Sequence, residues 1–393
     1  MQRIYLDNNA STVIDPAVAE AMHRCQLEGF VNPASQHQPG QKARRRLESM
    51  RSEILELMGA NATGMDADRL VFTSGGTESN NLALAGLALM PDGSLPANNR
   101  ILISAIEHPS IEACASYLGS RGFIVDRVGV TKDGVVKLDE LKQKLQLPTR
   151  LVSVMLANNE TGVIQPVTEI VRLCRQHGAL IHTDAVQCVG KLPVSFTSLG
   201  VDALSLTAHK LHGPRGIGGL ILGNDVTPFP RMFGGFQQVG FRPGTEDICL
   251  VTGLLESLKL FAVDSDRASR LEKLRDRIQA TILEHLSGPG DVVINGRQSP
   301  RVPHTLNLSF PGVNRQEFIM AADMQGLSVS TGSACASGSS DPSPILIAMG
   351  LEKDVIEGSI RISLSAQTTA AEIDLAAERI IMIANNLRRQ KSL

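Results

Sequence analysis

The chain has no tryptophan and only two tyrosines. That leaves too few rings for the stacking platforms that hold single-stranded nucleic acid. Neither sign of charge dominates: 38 Lys+Arg against 40 Asp+Glu give a net charge of −2. A dedicated nucleic-acid or membrane-surface binder carries a basic footprint, so both classes are disfavoured. Long apolar runs are missing as well. Leu82 to Met90 is the longest uncharged apolar stretch, far short of the roughly 20 residues a bilayer requires. Met1 to Thr12 carries Arg3 and Asp7 and does not read as a secretory leader. The six cysteines (Cys25, Cys114, Cys174, Cys188, Cys249 and Cys335) are scattered rather than arranged as a disulfide framework. A reducing, cytoplasmic location is the expectation.

What is present is ordinary globular material. Of 393 residues, 42% are hydrophobic and 35 are glycine, enough for a large core and about two to three domains. The first two thirds alternate β-rich runs with amphipathic ones. Strands are predicted at Arg69–Thr73, Arg100–Ser104, Phe123–Val128, Leu151–Leu156, Leu180–Thr183, Ala203–Thr207 and Gly219–Leu222. Several are continuously apolar, as in parallel strands covered on both faces. The clearest intervening helix is Pro166 to His177, with Val167, Ile170, Val171 and Cys174 on one face and Gly178 as a stop. Such alternation implies an α/β fold with a mostly parallel sheet. The last third reads as a smaller α+β C-terminal domain. It has a helix near Asp266–Leu286, strands at Val292–Asn295, Thr305–Phe310 and Ser359–Leu364, and helices at Gln316–Gln325 and Ala370–Arg389. The expected division is residues 14–262 as the large domain, with 1–13 and 263–393 forming the small one.

A parallel sheet presents ligands at the carboxyl ends of its strands, so the residues after each strand carry the functional reading. After Arg69–Thr73 come Ser74-Gly75-Gly76-Thr77-Glu78-Ser79 and a helical run. Two glycines, a hydroxyl and a helix N-terminus make an anion cup of phosphate size. Alone, the same residues also suit a plain strand–turn–helix connection. Asp184 follows one strand, and Thr207-Ala208-His209-Lys210 spans the end of another. A lysine able to bond a carbonyl, an acid for a pyridinium nitrogen and a phosphate cup are what pyridoxal 5'-phosphate requires. His108 could lie on the ring and move protons, and Asn159 and Gln187 could bond its polar edge. A zinc site from Cys174, His177, His182 and Cys188 is disfavoured: Cys174 faces its helix's core and no CxxC or HExxH occurs.

Two further signals lie in the last third. Ser330 to Ser340 is rich in Gly, Ser and Ala around Cys335. That predicts a mobile loop with an accessible thiol, or a linker with an incidental cysteine. Arg361 sits inside the apolar run Gly358–Ser363 and needs a partner, either a substrate carboxylate or a structural acid.

Taken together, several segments resemble a known family. They are Tyr5-Leu6-Asp7-Asn8-Asn9-Ala10-Ser11-Thr12, Asn32-Pro33-Ala34-Ser35, Thr73 to Asn80, Glu107-His108, Ala157 to Gly162, His182 to Gln187, Ala208-His209-Lys210 and Gly332-Ser333-Ala334-Cys335. In this order they resemble the cysteine desulfurases, class V aminotransferase-like pyridoxal-phosphate enzymes that supply sulfur for iron–sulfur clusters. The Gly-Ser-Ala-Cys loop is similar to the nitrogen-fixation and housekeeping branch and unlike the Arg-x-Gly-x-His-Cys branch. The resemblance implies a type I PLP-dependent transferase fold and a homodimer with sites at its interface. Lys210 would carry the cofactor, Asp184 pair with its ring nitrogen and His108 stack on the ring. Asn159 and Gln187 would contact its edge, and Gly76, Thr77, Thr207 and His209 would hold phosphate. Thr245 would reach the partner subunit's phosphate, Arg361 would bind the carboxylate of L-cysteine, and Cys335 would take sulfur as a persulfide. The sulfur would pass to an acceptor protein, an iron–sulfur scaffold or sulfur carrier. Thr207 stands where Ser is frequent, Ala336 where Thr is common, and the chain stops at Leu393, short of the tail many housekeeping members use to dock a scaffold. A selenocysteine lyase, another pyridoxal-phosphate C–S lyase and a non-catalytic protein of the same fold remain alternatives at this stage.

Overall fold

The computed structural model describes residues 2–286, 288, 290–332 and 341–391. A two-residue strand, β1 (Ile4–Tyr5), precedes seven strands that form one sheet. These are β2 (Arg69–Thr73), β3 (Arg100–Ser104), β4 (Ile124–Val128), β5 (Leu151–Ser153), β6 (Leu180–Asp184), β7 (Ala203–Thr207) and β8 (Gly218–Leu222). Their order is β2-β8-β7-β6-β5-β3-β4. The run from β7 to β4 is parallel, and only β8 runs antiparallel to its neighbours β2 and β7. Two successive reversals return β2 to the direction of β7. The carboxyl ends of β2, β3, β5, β6 and β7 therefore share one edge.

Period-two side-chain alternation divides the apolar residues between the sheet's two faces. Leu70, Phe72 and Leu102 join one buried cluster, and Val71, Ile101 and Ile103 join another. The helix Gly76–Ala88 is apolar all round from Leu82 onward and is buried there, as a helix covered on every side must be. Ala83, Ala85 and Ala88 keep it thin enough to lie between sheet and outer helix.

A separate core gathers Ile4 and Leu6 with Leu271, Ile278, Leu306, Phe310, Phe318, Ile360 and Ile380. Here the strands β9 (Val293–Ile294), β10 (Thr305–Ser309) and β12 (Ser359–Ser363) form an antiparallel sheet in the order β12-β10-β9. The strand β11 (Leu327–Ser328) pairs in parallel with β1. Val302, Ile345, Leu346, Met349 and Ile356 pack instead into the large core.

The predicted strands lie within two or three residues of those observed. The expected strand Leu151–Leu156 ends as ladder at Ser153, yet Val154 and Leu156 still donate to the His182 and Asp184 carbonyls at 3.1 and 2.9 Å. The pairs β1 and β11 were not expected, because two residues carry no readable period. Pro166 sits just outside its helix, which spans Val167–Gln176, and Gly178 follows with φ +65°. No helix among the described residues is long and apolar enough to cross a membrane.

Candidate active site

The shared strand edge opens into a cavity of about 910 Å³. Its wall starts with the turn after β2. Gly75 has φ +153° and ψ −178°, a conformation essentially confined to glycine. A side chain on Gly76 would press on Val186 at 3.0 Å, and one on Gly218 would strike Gly75 at 2.8 Å. The backbone of the turn therefore lies bare at the start of the Gly76–Ala88 helix. Gly75, the helix's N-cap, makes no side-chain capping bond. Amide donors and the helix dipole at that end favour an anion. Thr77, Thr207 and His209 line the same cavity, Thr207 within 4 Å of where a side chain on Gly75 or Gly76 would lie.

Lys210 follows β7 in a short 3-10 turn and is 9% exposed. Its Nζ donates to the carbonyls of Asn9 and Ala10, the latter at 2.8 Å. The N-terminal segment thus positions this lysine from about 200 residues away in sequence. Thr12 also bonds the His209 carbonyl at 2.9 Å. His209 is pushed down to about 4 by burial and by the nearby charges of Lys210, Lys191 and Arg215, so it presents a neutral ring at pH 7.

Asp184 ends β6 and is 6% exposed. One carboxylate oxygen accepts from the Val186 amide at 2.9 Å and the other from Asn80 Nδ2 at 2.7 Å. The same Asn80 amide donates to Ser110 Oγ at 2.9 Å, and Ser110 Oγ lies 2.8 Å from His108 Nδ1. His108 caps the Pro109–Ser120 helix, and its Nδ1 accepts the Ser110 amide at 3.1 Å. With Nδ1 committed as acceptor, the neutral ring carries its proton on Nε2. His108, Ser110, Asn80 and Asp184 therefore form one hydrogen-bonded chain.

Glu107, which precedes His108 in the sequence, is also buried. One oxygen accepts from the Ser104 hydroxyl and from the Met155 amide at 2.9 Å, while Oε2 has no partner. Burial, with the charges of Asp184 and Glu112 adding to it, pushes its carboxyl up to about 8. The folded state then binds a proton that the unfolded state, near 4.5, releases, so stability falls as pH rises from about 4.5 through 8. Glu107→Gln mimics the protonated acid. Thermal unfolding of the variant is expected to lose that part of the pH slope while keeping wild-type stability at pH 5. Parallel slopes for both proteins would contradict a protonated Glu107.

Arg361, in β12, is 3% exposed. Nη2 pairs with Asp7 at 2.6 Å, and Nη1 donates to the Asn159 carbonyl at 3.0 Å and the Gly332 carbonyl at 3.4 Å. Its Nε has no partner. The guanidinium thus has a structural acid and also lines the cavity.

Ten residues singled out from sequence line this one cavity: Gly76, Thr77, His108, Asn159, Asp184, Gln187, Thr207, His209, Lys210 and Arg361. Thr245 does not; it is exposed, beside Arg242, whose guanidinium bonds Glu78 at 2.9 Å. Cys335 lies outside the described residues. Cys174 is buried on its helix, and His182 lies inside the sheet between the Ser153 and Ser205 hydroxyls, 2.9 Å from each. Sequence reasoning assigned no role to Asp7, Asn9, Asn80, Ser110 or Arg215. Asp7 and Asn9 stand in a recognised motif, whereas Ser110 and Arg215 carry no local signal.

The cavity fits a flat anionic heterocycle. Ala157, Met155 and Val186 supply apolar lining. Gln187 Oε1 and Asn9 Oδ1 are buried without partners, a costly state unless a ligand completes them. With the bare glycine turn at one end and an acid in the floor, the donor set suits pyridoxal 5'-phosphate.

The model of the family described as aminotransferase class-V matches residues 4–375. A cysteine desulfurase of Nostoc sp. is 37% identical over 389 residues, covering 99% of this chain and 94% of the relative. One from Cereibacter sphaeroides is 40% identical, covering 99% and 97%. Among solved structures, a NifS-like protein from Rickettsia africae superposes with a TM-score of 0.87 at 30% identity, covering 98% of this chain and all of that one.

Proposed function

The chain belongs to the class-V aminotransferase family, and from that membership we propose that it is a cysteine desulfurase using pyridoxal 5'-phosphate and L-cysteine. The observation that carries the reading is the convergence of Lys210, Asp184, His108 and the Gly76–Thr77 turn on one cavity. Gly76, Thr77, Thr207 and His209 would hold the phosphate, His108 would cover the ring, and Asn159 and Gln187 would meet its polar edge. Bound there, the cofactor supplies an electron sink for the substrate's α-carbon. Lys210 Nζ would attach the cofactor and move the α-proton. Asp184, held by Asn80 and the Val186 amide, would keep a proton on the ring nitrogen. Arg361, with Nε unpartnered, receives the substrate carboxylate. Cys335 takes the sulfur, so that L-cysteine and a thiol become L-alanine and a persulfide. Cys335 stands three residues beyond Gly332, whose carbonyl Arg361 contacts.

Homodimerisation is part of this reading. Phe233, Phe236 and Val239 are 75%, 93% and 74% exposed, just before Arg242–Thr245. Val239 also holds φ +59°, unfavourable for a β-branched residue. An apolar patch of this kind is what a second copy covers, and it would carry Thr245 to the partner's phosphate. An iron–sulfur scaffold or sulfur carrier then accepts the persulfide sulfur.

Purified protein given L-cysteine and a reductant is expected to release alanine and sulfide in equal amounts. Pyruvate and ammonia in place of alanine would make it a C–S lyase instead. Asp184→Asn keeps the volume but has one acceptor for two donors, so either Asn80 or the Val186 amide loses its partner, at about 1–3 kcal/mol. It also removes the anion. Cofactor colour should persist while turnover drops on the order of 10²-fold or more. Near-normal turnover would remove Asp184 from the mechanism.

A further inference from the structure

Arg361 lines the cavity, and its guanidinium already carries an anion. Asp7 Oδ1 lies 2.6 Å from Nη2, with 3% of the arginine side chain and 19% of the acid exposed. Among the described residues no other carboxylate lies within ion-pair distance of Arg361. The partners of Nη1 are neutral, the carbonyls of Asn159 and Gly332. The acid is also fixed by its backbone. The Leu6 amide donates to the Ser328 carbonyl and the Ser363 amide to the Leu6 carbonyl, each at 2.8 Å. Asp7 bridges Ser363, which lies on β12 with Arg361. The Tyr5 hydroxyl bonds the Asp7 carbonyl at 3.1 Å. Asp7 is therefore held between β11 and β12 whether or not the ion pair is made.

A buried arginine needs a counter-charge, and that need alone accounts for a structural ion pair. The place of Arg361 on the cavity wall adds a second consequence. The inference rests on the reading above, in which Arg361 receives the carboxylate of L-cysteine. L-alanine, the product, carries the same carboxylate and amine. Attraction at Arg361 therefore holds substrate and product alike, which slows release without favouring the chemistry. A carboxylate that docks on this guanidinium meets the like charge of Asp7. We propose that Asp7 is a positioning residue with two effects: it fixes the guanidinium on the wall, and its charge holds down the affinity for carboxylates so that alanine leaves. Asp7 is not among the residues lining the cavity, so it acts through Arg361.

Asp7→Asn separates position from charge. The amide oxygen can still accept from Nη2, so the guanidinium keeps its place while the competing charge is gone. The buried guanidinium then lacks an anion until a carboxylate arrives. A ligand without a carboxylate feels neither change.

The test uses cofactor-loaded protein with L-alanine as probe. L-alaninamide, in which an uncharged amide replaces the carboxylate, is the comparison. Binding of each is read from the cofactor's absorbance. Asp7→Asn is expected to bind L-alanine about tenfold or more tightly than the wild type, with L-alaninamide affinity unchanged. Its Tm should fall without ligand, and L-alanine should raise Tm by more than in the wild type. With L-cysteine, KM should fall and inhibition by alanine should sharpen. Asp7→Ser, which leaves the guanidinium to the Asn159 and Gly332 carbonyls, takes the place of Asp7→Asn if that variant does not fold, with the same outcomes. L-alanine affinity unchanged or weakened in the Asp7 variant would overturn the proposal, as would L-alaninamide tightened as much as L-alanine. Arg361→Gln separates this from the reading beneath it: L-alanine binding should weaken about tenfold or more, with L-alaninamide spared. Undiminished L-alanine binding in Arg361→Gln would place the carboxylate elsewhere and overturn that reading and the proposal together.

Discussion

Lys210→Ala is expected to lower alanine production by about 10⁴-fold or more, the largest effect of any single change in this chain. The side chain is asked to do two things, attach the cofactor and move the α-proton, and no neighbour can take over. His209, next to it in sequence, is turned to Ser11 at 3.3 Å and is kept neutral by burial and surrounding cations. Lys191 is buried behind Lys210 and does not line the first cavity. The phosphate cradle does not include Lys210 Nζ, so the variant should still take up cofactor, with an altered absorption spectrum. Borohydride should fix the cofactor on the Lys210 peptide in the wild type and on no peptide in Lys210→Ala. Alanine production above about a tenth of the wild-type rate, against the loss expected of an essential proton-transfer group, would show that another base serves.

Cys335→Ser is expected to stop sulfur transfer while leaving the earlier steps intact. The thiolate is the nucleophile in sulfur chemistry, and a serine hydroxyl at neutral pH is a far weaker one. The other cysteines are poor substitutes. Burial pushes Cys114 up to about 11 and Cys174 and Cys188 up to about 12. Cys25 is buried as well, and Cys249, half-buried, is also raised. Alanine release should therefore fall on the order of 10³-fold or more, while L-cysteine still binds and still perturbs the cofactor spectrum. Mass spectrometry of the wild type after brief exposure to L-cysteine should find one added sulfur on the Cys335 peptide. Alanine and sulfide released at the wild-type rate by Cys335→Ser would replace the persulfide route with direct C–S cleavage.

The strands of the large sheet were legible in the sequence because each is a short apolar run ended by turn residues. Arg100–Ser104 and Ala203–Thr207 have the predicted bounds. Placing functional residues just after strands follows from sheet topology alone, which is why Asp184 and Lys210 could be named before any coordinates. The Gly75–Gly76 turn was legible for the same reason: the requirement for glycine is local to the backbone. Boundaries were less legible where hydrogen bonding outlasts the regular ladder, as after Ser153, and two-residue strands left no pattern.

Long-range pairings were invisible. The sequence shows an arginine in an apolar strand but does not say whether its partner is a substrate or a residue. Only the fold brings Asp7 to Arg361 across 354 positions. The chain from His108 through Ser110 and Asn80 to Asp184 joins three elements. The two carbonyls at Lys210 Nζ come from the N-terminal segment, 201 and 200 positions away. Local propensity and hydrophobic period act over a few residues, so composition and order determined the elements, the glycine turn after β2 and the side chains proposed to react. Charge pairing and hydrogen-bond completion act through space, so which of those side chains is held, neutralised or left open was decided by the tertiary structure.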